Sequence, residues 1–580
     1  MTHFPPDAEG DAGRRPYRRG LLLLAVVALL AQMAFAMVTT AQQQTPTTDE
    51  PVYVGTAVVY LQEHSLRYNA EHPPLGKLII GAGLAFARPR LDPAFTGDHW
   101  ALGHSVLYES GNDPWRLMFL ARLPIIVLTL LFGLVVFAFA RDLTGPAGGL
   151  VALILYAFSP DVIAHGSLAT LDVPAAGFLI TALWLGWRAR RRPGRYLPLA
   201  GLALGAALAT RMSVLPAVPV LLTVAVLAVW HADRPRAAAS PGTGTDSGAG
   251  TGRDRRRLLG RGVLAAAGVA LIAVAVVWAS YLAVDPRLAW ITPPGVPMLH
   301  GLRALAVDAL PFPRPYRDGM RIQFGFEDDT FGGFLFGRQY QGTLWYYLPA
   351  ALLVKTPVGA FALWLAGAGT MLSVRRLRPA APYVVLPALV LLLAALPSAR
   401  NFGVRYVIIL PMLLPVAAAT VVVLHPRRTR PAPVVAVVRL RPRGIHLATA
   451  ALLAFAAISS IRAYPYYLPY SNEAFGGPAK TYLRLHDSNV DWGQDLGRLA
   501  DRLREDYAGE KIWLVYKGNG DPAYYGIVSS DPLAVPPAAV HGILAVSDDA
   551  IDKAGAPLRS LIATSTPIDQ VGHSITIFRR

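Results

Sequence analysis

Residues 116–140 read RLMFLARLPIIVLTLLFGLVVFAFA and close on Arg141-Asp142. A hydrocarbon core takes roughly 20 predominantly apolar residues in a helix, so this run is long enough to span a membrane. Working outward, an apolar run at 20–40 follows Arg14, Arg15, Arg18 and Arg19. Downstream, runs at 146–160, 173–187, 196–210, 213–231, 262–284, 350–372, 381–397, 404–424 and 445–462 predict further helices. Threaded in alternation, they put the basic clusters Arg188-Ala189-Arg190-Arg191-Arg192, Arg375-Arg376 with Arg378, and Arg427-Arg428 with Arg430 on one side. The long aromatic and acidic loops fall on the other. That asymmetry is the positive-inside pattern. The expected fold is an α-helical polytopic membrane protein of about eleven transmembrane helices. It would lie in the plasma or inner membrane with its N-terminus cytoplasmic. The run at 20–40 can also be read as a secretory signal peptide, but its length and the later spans favour an uncleaved first helix.

Composition agrees. Of 580 residues, 53% are hydrophobic and only 16% are charged, against about a quarter charged in an ordinary soluble chain. The net charge is +17. The basic residues sit in short loops between apolar runs rather than in a separate basic domain, which argues against nucleic acid as a partner. There is no cysteine, which excludes disulfides, thiolate catalysis and cysteine-ligated zinc.

The chain divides into a basic cytoplasmic N-terminus (1–19), a transmembrane module (20–462) and a C-terminal part (463–580). The module carries outer loops at 41–115 and 285–346 and a Gly/Ser/Thr/Arg-rich stretch within 232–261 that reads as a flexible cytoplasmic linker. In the C-terminal part, Leu496, Leu499 and Leu503 have helical spacing, while 512–516, 542–546 and 574–578 read as strands. A small extracytoplasmic α/β domain is expected there.

Polar groups gather at the outer loops. Asp49-Glu50 follows the first helix, and Asn69-Ala70-Glu71-His72-Pro73-Pro74-Leu75-Gly76-Lys77 precedes a short amphipathic segment expected in the membrane interface. Ser159-Pro160-Asp161-Val162-Ile163-Ala164-His165-Gly166 leads to Asp172, which is either an N-cap or a functional carboxylate at membrane depth. The cations Lys77, Arg211, Lys355 and Arg405 lie on the outer side, against the prevailing bias. They either snorkel or neutralise a substrate phosphate. Carboxylates and cations above a lipid-exposed bundle suit transfer of a group from a lipid phosphate to a hydroxyl or amine. No Gly-rich phosphate loop follows a strand, so cytosolic nucleotide use finds no support. A transporter or lipid flippase is the competing class, although no inverted repeat is evident.

These motifs, with Leu168 to Pro174, Trp345-Tyr346-Tyr347-Leu348-Pro349, Lys355-Thr356-Pro357, Asn401-Phe402-Gly403-Val404-Arg405-Tyr406 and Asp487-Ser488-Asn489-Val490-Asp491-Trp492-Gly493-Gln494-Asp495, resemble bacterial polyprenyl-phosphate-dependent glycosyltransferases. Those enzymes are related to protein O-mannosyltransferases and to the aminoarabinose transferase of lipid A (glycosyltransferase family 39, C-type membrane fold). The resemblance implies a polyprenyl-phosphate-linked hexose or pentose as donor, an extracytoplasmic acceptor (protein, lipid or glycan), contact with membrane lipids, and inversion at the anomeric centre. Asp49 resembles the outer-loop base, Glu50 completes its pair, and Asp172 resembles the second acidic residue beside the donor. By the resemblance Arg405 would meet the donor phosphate, and Lys77, Arg211 and Lys355 are candidates for the same role by their charge. His72, His165 and Tyr406 would line the substrate site. Glu71 resembles a loop carboxylate linked in some relatives to a divalent metal, the cofactor the resemblance allows. Arg211 stands where many relatives carry Lys, and no β-trefoil insertion is present. The segment Asp487 to Asp495 either binds an outer partner or, the favoured reading, caps the helix that starts near Gly493.

Overall fold

A computed structural model describes residues 10–238, 250–424 and 442–580. The start of the basic N-terminus, the centre of the expected linker and the Arg427-Arg428-Arg430 cluster lie outside the described residues.

Every apolar run predicted above is helical, but the number of straight spans is smaller than eleven. By length and composition, six helices among the described residues can cross a membrane: Arg19–Gln43, Pro114–Thr144, Met212–Ala232, Arg256–Val284, Arg378–Ala395 and Arg443–Arg462. Two bent pairs bring the total to at most eight. The physical causes are local. Pro160 cannot donate a backbone hydrogen bond and forces Ser159 into an extended conformation (ψ 114°), so Pro146–Ala157 and Pro160–Gly166 meet at 62°. Pro357 does the same to Thr356 (ψ 130°), and Tyr347–Lys355 and Val358–Ser373 bend by 117°, where one helix over 350–372 was expected. The run at 404–424 is divided into 3-10 turns around Ile409–Ala418, which is too short to span. Asp172–Ala189 and Pro193–Thr210 are 18 residues each, about 27 Å at 1.5 Å per residue. They also carry Asp172, Arg188 and Arg195 within that length.

Close packing fixes the helix that bears Asp172. A Cβ at Gly177 would stand 2.1 Å from the Phe132 ring, so only glycine lets Asp172–Ala189 lie this near to Pro114–Thr144.

The outer loops are structured. The first holds helices Glu50–Gln62, Pro74–Leu84 and His99–His104. The second holds Gly301–Asp308, Arg314–Asp328 and a hairpin of β1 (Gly332–Leu335) and β2 (Arg338–Gln341). Its two-residue turn has positive φ at both Phe336 (47°) and Gly337 (80°), the geometry whose twist matches an antiparallel pair.

The C-terminal part is α/β. Strands β3 (Ile512–Val515), β4 (Ile543–Ser547), β5 (Thr566–Val571) and β6 (Ile575–Arg579) form a sheet of order β3-β4-β6-β5. Strand β3 runs parallel to β4, and the other pairs are antiparallel. Strand β5 was not anticipated, because Pro567 and Asp569 in its sequence disfavour a strand; it forms at the sheet edge with an irregular register between those residues. The helix Leu496–Asp506 buries Leu496, Leu499 and Leu503 as expected.

This domain buries Asp552. Burial, with Asp549 and Asp548 adding to it, pushes the carboxyl up to about 10. An unfolded carboxyl ionises near pH ~3.9. Between those values the folded domain holds a proton that the unfolded chain has lost, so this group's contribution falls as pH rises. Asp552→Asn mimics the protonated form. It should raise the melting temperature by a few degrees at pH 9 and by less at pH 5, as thermal unfolding at both values would show. Equal shifts at both pH values would refute the assignment.

Candidate active site

A cavity of about 630 Å³ opens where the helices meet the outer loops. One part is apolar, walled by Ala175, Ala176, Leu179, Val214, Leu215, Leu391, Ala394, Ala395, Ile408 and Ile409. The other carries His72, Asp172, Arg211, Arg303, Gln323, Glu327, Arg400, Arg405 and Tyr406. The volume suits a ligand with a sizeable headgroup, and the lining suits one that is anionic at one end and apolar at the other.

Two ion pairs organise the polar part. Arg405 Nη1 donates to Asp49 Oδ2 at 2.6 Å. Arg211 pairs with Asp172, whose side chain is 2% exposed. Tyr406 lies between them, its ring centroid 5.2 Å from the Arg405 guanidinium carbon and 5.4 Å from that of Arg211. Asp49 precedes the helix Glu50–Gln62, and Arg405 sits in the 3-10 turn Val404–Val407. Asp172 is the first residue of Asp172–Ala189, one position past the N-cap, which is Leu171. The N-cap reading is therefore not realised, because the carboxylate is turned to Arg211 instead.

A third pair went unread in the sequence. Arg400 Nη2 donates to Glu327 Oε1 at 3.0 Å and to Gln323 Oε1 at 2.8 Å. Arg400 stands one position before the quoted Asn401–Tyr406 motif, which was the available signal.

Asp49, Glu50, Glu71, Lys77, Lys355 and His165 do not line the cavity, and of these Asp49 meets it through its pair with Arg405. Glu50 is fully buried. Its carboxylate accepts Arg122 Nε at 2.8 Å and Nη2 at 2.6 Å, Thr47 N at 2.9 Å and Oγ1 at 3.0 Å, and Ala169 N at 2.7 Å. With both oxygens engaged, it is an interior anchor of the outer loop. Lys77 Nζ donates to the carbonyls of Asn69 and His72, each at 2.8 Å, and to Asn69 Oδ1 at 3.1 Å, which uses its three protons. Lys355 Nζ donates to the carbonyls of Leu468 (2.5 Å) and Asn489 (3.1 Å) and lies 3.5 Å from Asp161. His165 is buried against Trp492, ring centroids 6.1 Å apart. His72 does line the cavity, with its ring against Tyr53.

For a metal, Glu71 offers a carboxylate that accepts Asn69 Nδ2 at 2.7 Å and lies 3.8 Å from His99 Nε2. Among the described residues, His486, Asp487 and Asp549 also bring ligand-type atoms within 4.8 Å of one another. Lys517 and Lys553 already pair with those two carboxylates, so the charge is balanced without an ion. The segment Asp487 to Asp495 likewise departs from the capping expectation. Asp495 takes the N-cap position of Leu496–Asp506 but makes no side-chain cap; its carboxylate accepts Ser574 Oγ at 2.6 Å.

Long apolar helices and a half-open cavity with paired charges define a multi-pass membrane protein with a candidate ligand site. Residues 116–242 match the family model described as dolichyl-phosphate-mannose-protein mannosyltransferase. Over that segment the chain is similar to the polyprenyl-phosphate-dependent glycosyltransferases named above. Among solved structures, ArnT from Cupriavidus metallidurans in the apo state aligns over 97% of this chain and 98% of its own, at 14% identity and a TM-score of 0.46. ArnT from the same organism bound to undecaprenyl phosphate aligns over 96% and 98%, at 14% identity and 0.47. The S. cerevisiae protein O-mannosyltransferase Pmt1-Pmt2 complex bound to the sugar donor aligns over 46% of this chain and 34% of that one, at 18% identity and 0.33. No curated protein matches.

Proposed function

We propose that this chain transfers a sugar from a polyprenyl-phosphate donor to an acceptor hydroxyl or amine on the extracytoplasmic side, with inversion. The observation that carries the reading is the convergence of Asp49–Arg405 and Asp172–Arg211 on Tyr406, at the polar end of a cavity whose other walls are apolar. A lipid phosphate matches that division. Its headgroup would meet Arg405 and Arg211 while the first isoprene units lie along the apolar wall. The family match, whose printed description includes a dolichyl-phosphate sugar, supports the same donor class.

The step balances as a single displacement. Asp49 takes the acceptor's proton as the acceptor oxygen or nitrogen bonds to the anomeric carbon. The bond from that carbon to the phosphate oxygen breaks, and its electron pair leaves with polyprenyl phosphate. The leaving phosphate gains negative charge, and the guanidinium groups of Arg405 and Arg211 are already in place to stabilise it. An arginine has five donors, so Arg405 can hold Asp49 and a phosphate together. Glu50 takes no part, and Lys77 and Lys355 hold loops rather than phosphate. Glu71 and His99 are the groups that would hold a divalent ion. The arginine clusters support a cytoplasmic N-terminus, and the odd number of crossings expected from the sequence would put the α/β domain on the opposite side.

Purified chain in nanodiscs with polyprenyl-phosphate sugar and envelope extract should release polyprenyl phosphate in step with glycosylated product, as mass spectrometry would read. Movement of the lipid between leaflets with no sugar transferred would overturn the proposal in favour of a flippase.

A further inference from the structure

Arg405 and Asp49 belong to loops far apart in sequence, and the C-terminal segment touches both. On the Asp49 side, Thr48 N and Oγ1 donate to the Trp492 carbonyl at 2.9 and 3.2 Å. Thr45 N donates to the Gln494 carbonyl at 3.0 Å. Asn519 Nδ2, from the domain behind, donates to the Thr48 carbonyl at 2.7 Å. On the Arg405 side, Val404 N donates to Asn489 Oδ1 at 3.1 Å, and Ser488 Oγ donates to the Phe402 carbonyl. Between the two loops the Trp492 indole, 3% exposed, lies with its ring centroid 4.3 Å from the Arg405 guanidinium carbon. Arg405 Nε has no hydrogen-bond partner among the described residues.

We propose that Trp492 is a positioning residue of the transfer site: its indole holds the Arg405 guanidinium in the orientation that pairs with Asp49 and meets the donor phosphate. The inference rests on the donor class proposed above. It makes the C-terminal domain a component of the site rather than an accessory. A cation attracted by the indole ring leaves the guanidinium N–H groups for the two anions, and Trp is the aromatic residue that attracts a cation most strongly. Leu or Ala at this position would fill space without orienting the charge.

The test uses the full chain in nanodiscs and undecaprenyl phosphate as the probe, with binding measured for Trp492→Leu, Trp492→Phe, Arg405→Lys and the Trp492→Leu/Arg405→Lys pair. Trp492→Leu should weaken binding about tenfold and Trp492→Phe about threefold. In the Arg405→Lys background, Trp492→Leu should add less than about twofold, because the two residues act through one contact. Thermal unfolding identifies variants that fail to fold; if Trp492→Leu is among them, the Phe variant carries the test alone and in the Lys background. Unchanged binding in the Trp492 variants, or losses that multiply in full with Arg405→Lys, would overturn the positioning role and leave the proposed donor standing. A wild-type chain that does not bind undecaprenyl phosphate would overturn both.

Discussion

Asp49→Asn is expected to lower sugar transfer about a hundred- to ten-thousandfold, the usual contribution of a positioned general base. Asparagine keeps the size of the side chain and an oxygen for Arg405, so the ion pair becomes a weaker hydrogen bond and the loop keeps its shape. What is lost is the capacity to take a proton. The kinetic form of the loss therefore matters as much as its size. Removing a negative charge beside Arg405 leaves that guanidinium with more positive field for the donor phosphate, so donor KM should hold steady or fall while kcat collapses. That is the signature of an interaction used in the transition state rather than in binding. Steady-state kinetics against donor concentration would check it. Retention of wild-type kcat would remove Asp49 as the base and leave it a partner that merely orients Arg405.

Four of the charged residues that the sequence singles out come together in two ion pairs, a pairing that the sequence alone does not show. Asp49, Asp172, Arg211 and Arg405 stood out because each puts charge beside an apolar run, which is costly without a partner. The contact between Asp49 and Arg405 spans 356 positions, and no local pattern encodes it. Burial was equally hidden. Glu50 is adjacent to Asp49 in the chain, yet one carboxylate meets the cavity's arginine while the other is sealed inside, because Glu50 opens a helix that turns its side chain toward Pro114–Thr144. Lys77 and Lys355 read as phosphate ligands from charge alone. Their environment of inward-facing carbonyls belongs to loops that order only on folding. The helix breaks were more legible, since Pro160 and Pro357 are visible in the sequence. Reading 146–160 and 350–372 as single helices gave apolar content precedence over the backbone restriction that proline imposes.

The neighbouring carboxylate should behave in the opposite way. Glu50 and Arg122 are both fully buried, and breaking such a pair from one side leaves an uncompensated charge that costs about 3–5 kcal/mol. Marginally stable folds have little more than that in reserve, typically about 5–15 kcal/mol. Glu50→Gln should therefore appear as a loss of folded protein, with a lower yield of monodisperse chain in detergent and a much lower melting temperature. Any fraction that does fold should turn over at close to the normal rate. Adding Arg122→Met removes the stranded cation while the introduced glutamine amide still offers an acceptor to Thr47 or Ala169, so the double variant should recover folded protein relative to Glu50→Gln alone. If Glu50→Gln instead folds and melts like the wild type while transfer alone disappears, Glu50 is a chemical participant and the division of labour between these two carboxylates is reversed.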